Sequence, residues 1–307
     1  MLENWGPPAE ENELSAYGMK MWRNKSYDFV PAILGHTDNS FASTDAVSHM
    51  ALISSHDEQR IAWDGQNHGR TNGNYDIRNP LITFERIKMG AAFHLMNPGL
   101  KLIWMFDELA YDISIDFNGR TGVKPFPWGD GGLGYYEDEL RQHVFSAYQG
   151  ILNVRSIITP QALSAATKSH KHTGAIRRLS YDTDDIDLVV IGNFGLESGE
   201  VDPAFSGTGT WYDYFSGEAI EISDPGAEII LEAGEWHIYT SERLSDGQPG
   251  VVEVYTNPVS IDPPRFRATD EITITFDATK AHPGQSNGLV GANKVYMQAG
   301  IVTEGMT

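Results

Sequence analysis

Met50-Ala51-Leu52-Ile53-Ser54-Ser55-His56-Asp57-Glu58 is the stretch on which the reading of this chain turns. Its apolar start has no polar alternation, so it reads as a strand covered on both faces rather than one with a wet side. The ionisable pair His56-Asp57 follows where such a strand emerges, which is where barrel folds keep their chemistry. A His-Asp dipeptide alone is more often an ordinary surface turn, so the segments on either side carry the decision.

Outward from that stretch, the first half of the chain alternates helical and strand patterns, as a parallel sheet requires. Leu14, Tyr17 and Met21 recur at helical spacing after an acidic stretch, and Phe84, Ile87, Ala91 and Leu95 do so before the break Asn97-Pro98-Gly99. The clearest helix is expected over residues 137–155, with Leu140, Val144, Ala147, Ile151 and Val154 on one stripe. Residues 64–75 and 118–135, rich in Gly, Asn and aromatics, read as long loops, and long ordered loops usually serve function. A polar connector is expected over 159–174. Beyond it, Leu188-Val189-Val190-Ile191, Ala219-Ile220-Glu221-Ile222, Glu228-Ile229-Ile230-Leu231 and Glu235-Trp236-His237-Ile238-Tyr239 are short β-rich runs parted by Gly, Pro and Asp turns. That is the pattern of an antiparallel β-sandwich. Trp211, Tyr212, Tyr214 and Phe215 could form a sugar platform there, but clustered aromatics more commonly fill a core. From Val251 a second β segment begins, with Ile272-Thr273-Ile274-Thr275-Phe276 in alternation after a Pro-marked entry.

Composition excludes several classes of partner. The 307 residues include no cysteine, which removes disulfides and thiolate metal sites, and carry a formal net charge of −20. Residues 180–246 hold sixteen acidic residues against the single base Arg243. Such an excess disfavours nucleic acid and anionic membrane surfaces, whereas a neutral glycan meets no electrostatic penalty. No segment approaches the ~20 apolar residues of a membrane span. No D-x-D-x-D-G calcium loop occurs, His49, His68, His94 and His143 lack metal-ligand spacing, and no cofactor is expected.

Four segments in order resemble the α-amylase superfamily of glycoside hydrolases, (β/α)8 barrels acting on α-glucans. Met1-Leu2-Glu3-Asn4-Trp5 looks like the end of the fifth barrel strand. Residues 52–58 look like the seventh strand with its His-Asp pair, and the run from Pro98-Gly99 to Phe106-Asp107-Glu108-Leu109 looks like the eighth. Asp116 and Arg120 then keep the four-residue Asp-to-Arg spacing of many members. Tyr75-Asp76-Ile77-Arg78, Asn118-Gly119-Arg120-Thr121-Gly122 and the run Gly209-Thr210-Trp211-Tyr212-Asp213-Tyr214-Phe215-Ser216-Gly217 resemble most closely the multidomain amylases of Bacteroidetes-type bacteria.

The resemblance implies a fold that is α/β followed by all-β. It places strands five to eight of the (β/α)8 TIM barrel over 1–158, an antiparallel β-sandwich over 175–246, and an incomplete immunoglobulin-like or carbohydrate-binding module over 250–307. It implies Glu3 as proton donor and Asp57 as the carboxylate that favours an oxocarbenium-like transition state. His56, Trp5, Asp116 and Arg120 become contacts to an α-glucan polysaccharide or oligosaccharide. A retaining mechanism places acid and nucleophile about 5–5.5 Å apart, and an ionised Asp near Glu3 raises its pKa by like-charge repulsion. The family's nucleophile, an Asp in an Arg-x-Asp strand before the Glu, has no counterpart here. The chain is therefore expected to be a C-terminal fragment, inactive alone, of a retaining hydrolase of α-1,4-glucosidic bonds. A branching enzyme or other transglycosylase of the clan, and a non-catalytic glycan-binding piece, are the alternatives. The parent is expected to be secreted, periplasmic or on the cell surface of a bacterium. Asp107 and Glu108, read as neighbours in a strand, point to opposite faces and cannot both serve one sugar.

Overall fold

The computed structural model describes residue 13 and residues 16–41, 49–244, 259–262 and 273–276. The chain divides into two units, Met1–Val251 and Val252–Thr307. In the second unit the described residues are two antiparallel strands, Val259–Asp262 and Thr273–Phe276, paired with Ile261 opposite Ile274.

The first unit begins with a three-stranded parallel sheet. Strand β1 (Met21–Asn24) lies beside β2 (His49–Leu52), and β5 (Leu100–Leu102) lies on the other side of β2. Both pairs are parallel, with Arg23 opposite Ala51 and Ala51 opposite Lys101. The middle strand is buried from Met50 through Ser55, as its unbroken apolar start requires. Parallel neighbours need crossovers, and helices supply them: α1 (Ser26–Ile33) follows β1, and α2 (Ile61–His68) and α3 (Pro80–Leu95) lie between β2 and β5. Helix α3 starts on Pro80, with the Asn79 side chain accepting from the Leu81 amide at 3.1 Å. Its four expected apolar positions are buried. Helix α4 (Glu139–Ile157), capped by Asp138 onto the Arg141 amide at 3.0 Å, packs on α3.

Three expectations fail in this half. Met21 belongs to a buried strand, not to the helical repeat suggested by Leu14 and Tyr17. Gly18, at φ +76, turns the chain before it, and a left-handed turn of this kind ends a helix. The stretch 64–75 is not one loop, because it contains most of α2 and the first strand of the hairpin β3 (Thr71–Asn72) and β4 (Tyr75–Asp76). Asp107 and Glu108 lie in a 3₁₀ turn, Asp107–Leu109, since β5 ends at Leu102.

The second half forms a six-stranded antiparallel sheet. Its strands are β6 (Thr167–Lys171), β7 (Ile176–Asp182), β8 (Leu188–Asn193), β10 (Gly209–Asp213), β11 (Ala219–Ile222) and β13 (Trp236–Thr240), in the order β11-β10-β13-β8-β7-β6. A two-stranded ribbon, β9 (Gly199–Val201) with β12 (Ile229–Leu231), covers one face. Between ribbon and sheet sit Ile176, Val189, Ile191, Val201, Phe205, Trp211, Leu231 and Tyr239. Trp211, Tyr214 and Phe215 are buried, so three of the four clustered aromatics are core. The connector 159–174 instead contains α5 (Pro160–Ala165) and the edge strand β6.

Arginines pin the two halves together. Arg86, fully buried on α3, donates to the Ile33 carbonyl at 2.5 Å and Ala32 at 2.9 Å at the end of α1. It also donates to Phe194 at 2.6 Å and Gly195 at 3.1 Å beyond β8, and to the Tyr75 hydroxyl at 3.1 Å. Arg177 lies over the Phe41 ring at 3.8 Å and donates to the Asn39 side chain at 3.0 Å. Within the first half, Arg155 donates to the carbonyls of Leu95, Asn97 (2.8 Å) and Gly99, joining the end of α3 to the start of β5.

Candidate functional site

The C-terminal ends of the three parallel strands converge on one polar cluster. Asn24, the last residue of β1, donates through Nδ2 to Glu58 Oε1 at 2.5 Å, and the Ser55 hydroxyl donates to the other oxygen of the same carboxylate. Ser55 Oγ accepts the Asp57 amide at 3.1 Å, while its carbonyl accepts from Arg60 at 3.1 Å. Residues 54–60 are thus tied at several points into a fixed turn. A parallel sheet holds strand ends in register, and a cross-linked turn on such an end holds side chains more precisely than a free loop does.

His56 and Asp57 project outward from this turn. His56 Nε2 lies 3.2 Å from Asp57 Oδ2, and the two side chains are 67% and 70% exposed. Trp104, just past β5, places its ring 5.9 Å from the His56 ring. From the long loop after β5, Arg120 Nη2 donates to the Asp57 carbonyl at 2.6 Å. The structure therefore brings together His56, Asp57 and Arg120, three of the six expected site residues. Asp116 is on the same loop, where its amide donates to Ser114 Oγ at 3.1 Å and its carbonyl accepts from Gly119 at 2.9 Å. Among the described residues no ion pair joins it to Arg120, so the Asp-to-Arg spacing reflects a turn rather than a bonded couple. Glu3 and Trp5 lie outside the described residues.

Beneath the exposed pair lies an acid whose part the sequence did not reveal. Asp107 is 6% exposed, and Ser54 Oγ donates to its carboxylate. Burial lifts its pKa to about 7, with the Ser54 hydrogen bond opposing, nearby Glu108 adding and Arg60 opposing. Glu108 is also raised by burial and borders an apolar pocket of about 390 Å³ with Ile103, Met105, Phe106, Phe145 and Tyr148. The two acids do diverge, but through a tight turn rather than strand alternation. Burial also lowers the pKa of Arg60, with Asp107 acting against that. Gln59 anchors the floor's far side, donating to Ser114 Oγ at 3.0 Å and accepting the Ile115 amide at 2.8 Å. The acidic pair Asp107-Glu108 carried a sequence signal as the close of the eighth-strand run, and so did Trp104, two residues beyond β5. The Ser54–Asp107 bond joins residues 53 apart and has none.

A hydrogen-bonding imidazole, an exposed carboxylate and a guanidinium at one strand-end mouth can donate to and accept from vicinal hydroxyls. Among the described residues no group of three His, Asp or Glu side chains could hold a metal ion, and no helix is long and apolar enough to cross a membrane.

No protein-family model matches the chain, and no curated protein matches it. Solved structures do. An α-amylase from Anoxybacillus superposes with a TM-score of 0.53 at 14% identity, covering 80% of this chain and 52% of that one. The three-domain cyclomaltodextrin glucanotransferase CldA gives 0.53 at 14%, covering 80% and 49%. AmyP in complex with maltose gives 0.51 at 13%, covering 78% and 55%. The fold is amylase-like. At such identities the likeness speaks to fold alone, and the chain spans about half the length of these amylase-family structures.

Proposed function

We propose that this chain is the sugar-gripping part of a retaining α-glucan hydrolase acting on α-1,4-glucosidic bonds of the starch or glycogen type. The carrying observation is the mouth itself: a cross-linked turn at the end of a buried parallel strand presents His56 and Asp57, with Arg120 bonded across to the same turn at 2.6 Å. The amylase-like fold supports the reading, and AmyP holds maltose in its crystals. In this reading Asp57 accepts from ring hydroxyls and stabilises positive charge developing on the anomeric carbon, while His56 donates to the same sugar. Arg120 holds the turn and directs its remaining donors to the neighbouring sugar. Glu3 protonates the leaving oxygen, and Trp5 walls the pocket. The reaction also needs an attacking carboxylate, a role that no carboxylate of these 307 residues takes in this reading. The chain on its own accordingly binds glucan without cleaving it.

Titration of the purified chain with maltotriose tests this. Wild type is expected to bind, and Asp57→Asn and His56→Ala are each expected to weaken binding about tenfold, as loss of one charged or directed hydrogen bond does. Reducing-end release from starch is expected to be zero. Unchanged affinity in both variants would remove the assignment of the mouth, and turnover by the chain alone would remove the claim of inactivity.

A further inference from the structure

The loop that carries Arg120 continues into an aromatic surface that no role above uses. Phe126, Trp128 and Tyr136 are 59%, 44% and 48% exposed, yet they touch in sequence. Phe126 and Trp128 have ring centroids 6.0 Å apart at 40°, and Trp128 and Tyr136 are 5.9 Å apart at 90°. At the inner end Trp128 stands 5.0 Å from the Phe106 ring. Three adjoining exposed aromatics are unusual on a solvated surface and commonly mark a contact site.

The rings are held firmly. The Leu133 amide donates to the Phe126 carbonyl and the Tyr135 amide to the Pro127 carbonyl, both at 2.9 Å, so the aromatic segment is braced by the returning loop. The Tyr111 hydroxyl donates to the Pro125 carbonyl at 2.7 Å, and Gln142 donates to the Tyr136 carbonyl at 2.6 Å. Gly129 and Gly131, at φ +81 and +77, take the left-handed turns that a side chain would strain. The platform is thus ordered before any ligand arrives, which lowers the entropic cost of binding.

We propose that Phe126, Trp128 and Tyr136 form a second glycan-contact surface, on which successive glucosyl units of an α-glucan stack as the polymer leaves the strand-end mouth. This rests on the α-glucan reading of the mouth and extends it from one sugar to a polymer. Continuity argues for it: Lys124 Nζ donates to the Gly119 carbonyl at 2.6 Å and the Gly122 carbonyl at 3.0 Å, folding the Arg120 segment directly onto the start of the platform. Six residues separate Arg120 from Phe126, so their backbones lie within about 20 Å of each other, inside the span of an oligosaccharide. The chemistry also fits. The C–H face of a pyranose is apolar and faintly positive, and it meets the negative face of an aromatic ring. Rings set at angles suit a curved chain better than a flat sheet or a bilayer. The net charge of −20 repels anionic polymers and leaves a neutral one untouched.

Electrophoresis of the full chain through native gels containing glycogen tests the platform, with maltose titration run in parallel on the mouth. Trp128→Ala and Phe126→Ala are expected to lose about tenfold in retention by glycogen while binding maltose as wild type does. Trp128→Phe is expected to keep most of the retention, which guards against a folding defect. Unchanged retention in Trp128→Ala overturns the platform, and the α-glucan reading then stands or falls separately on whether Asp57→Asn weakens maltose binding. Retention by a β-linked glucan in place of glycogen overturns the α-glucan occupant. A Trp128-dependent dimer in sedimentation, with no glycan retention, overturns the proposal in favour of a protein contact.

Discussion

Arg86 and Arg120 both bond to backbone carbonyls, and the difference between their surroundings separates the seam of this molecule from its mouth. Arg86 is fully buried between the parallel-strand half and the antiparallel sheet, with five hydrogen bonds to fixed acceptors. Burial lowers its pKa, and only the Tyr75 hydroxyl works against that. Arg120 is exposed and, among the described residues, its side chain makes one bond, to the Asp57 carbonyl. A cation saturated by carbonyls has nothing left to offer a ligand, whereas one with idle donors at a strand-end mouth does. The seam is built to stay shut and the mouth to be occupied.

Replacing Arg86 should break the contrast most severely. Arg86→Met leaves the carbonyls of Ile33, Phe194 and Gly195 without their donor inside the protein, while Ala32 keeps the Gly35 amide at 3.0 Å. The expected loss is roughly 3–5 kcal/mol of unfolding free energy, since each unsatisfied buried group costs about 1–3 kcal/mol. Urea denaturation measures this; a loss below about 1 kcal/mol would show that the seam does not depend on the arginine.

Asp107 belongs to neither class, being a buried acid under an exposed site, and it sharpens the comparison through pH. Its folded pKa of about 7 lies above the unfolded value of about 3.9. The folded state therefore binds more protons between those values, and the stability this group allows falls as pH rises from about 4 to about 7, then levels off. Each pKa unit corresponds to about 1.4 kcal/mol. Asp107→Asn keeps an acceptor for the Ser54 hydroxyl and removes the titration. It is expected to flatten that decline and to gain on the order of 1–3 kcal/mol at pH 8. Melting temperatures across pH 4 to 8 give the answer, and parallel curves for variant and wild type would refute it.

The smallest effect on stability is expected at the mouth. Arg120→Ala should change unfolding free energy by less than about 0.5 kcal/mol, as exposed substitutions usually do, while weakening maltotriose binding about tenfold. A large destabilisation with unchanged affinity would make Arg120 a structural brace like Arg86.

These contrasts were unevenly legible in the sequence. Ala219–Ile222 is the expected strand to the residue, α4 falls within two residues of the expected 137–155, and α3 carries its expected stripe but starts four residues before Phe84, because long periodic stripes and β-branched runs record local geometry directly. Strand β1, Met-Trp-Arg-Asn, has neither a β-branched residue nor an apolar alternation to mark it, and β6, Thr-Lys-Ser-His-Lys, is a polar edge strand with no apolar face. Helix α1 carries Pro31 inside it, a local signal against the helix that tertiary packing overrides. At the mouth, His56 and Asp57 could be found because they follow a buried run. The bonds that hold them, Asn24 to Glu58 and Ser54 to Asp107, join residues 34 and 53 apart and leave no local trace.

The reach of Arg86 also bears on how the chain is made. Its acceptors at Phe194 and Gly195 lie 108 and 109 residues downstream. At about 5–20 residues per second a ribosome needs roughly 5–20 s to synthesise that interval. Until then the nascent first half holds a guanidinium with two of its five acceptors unmade, so the seam closes only after the second sheet has emerged.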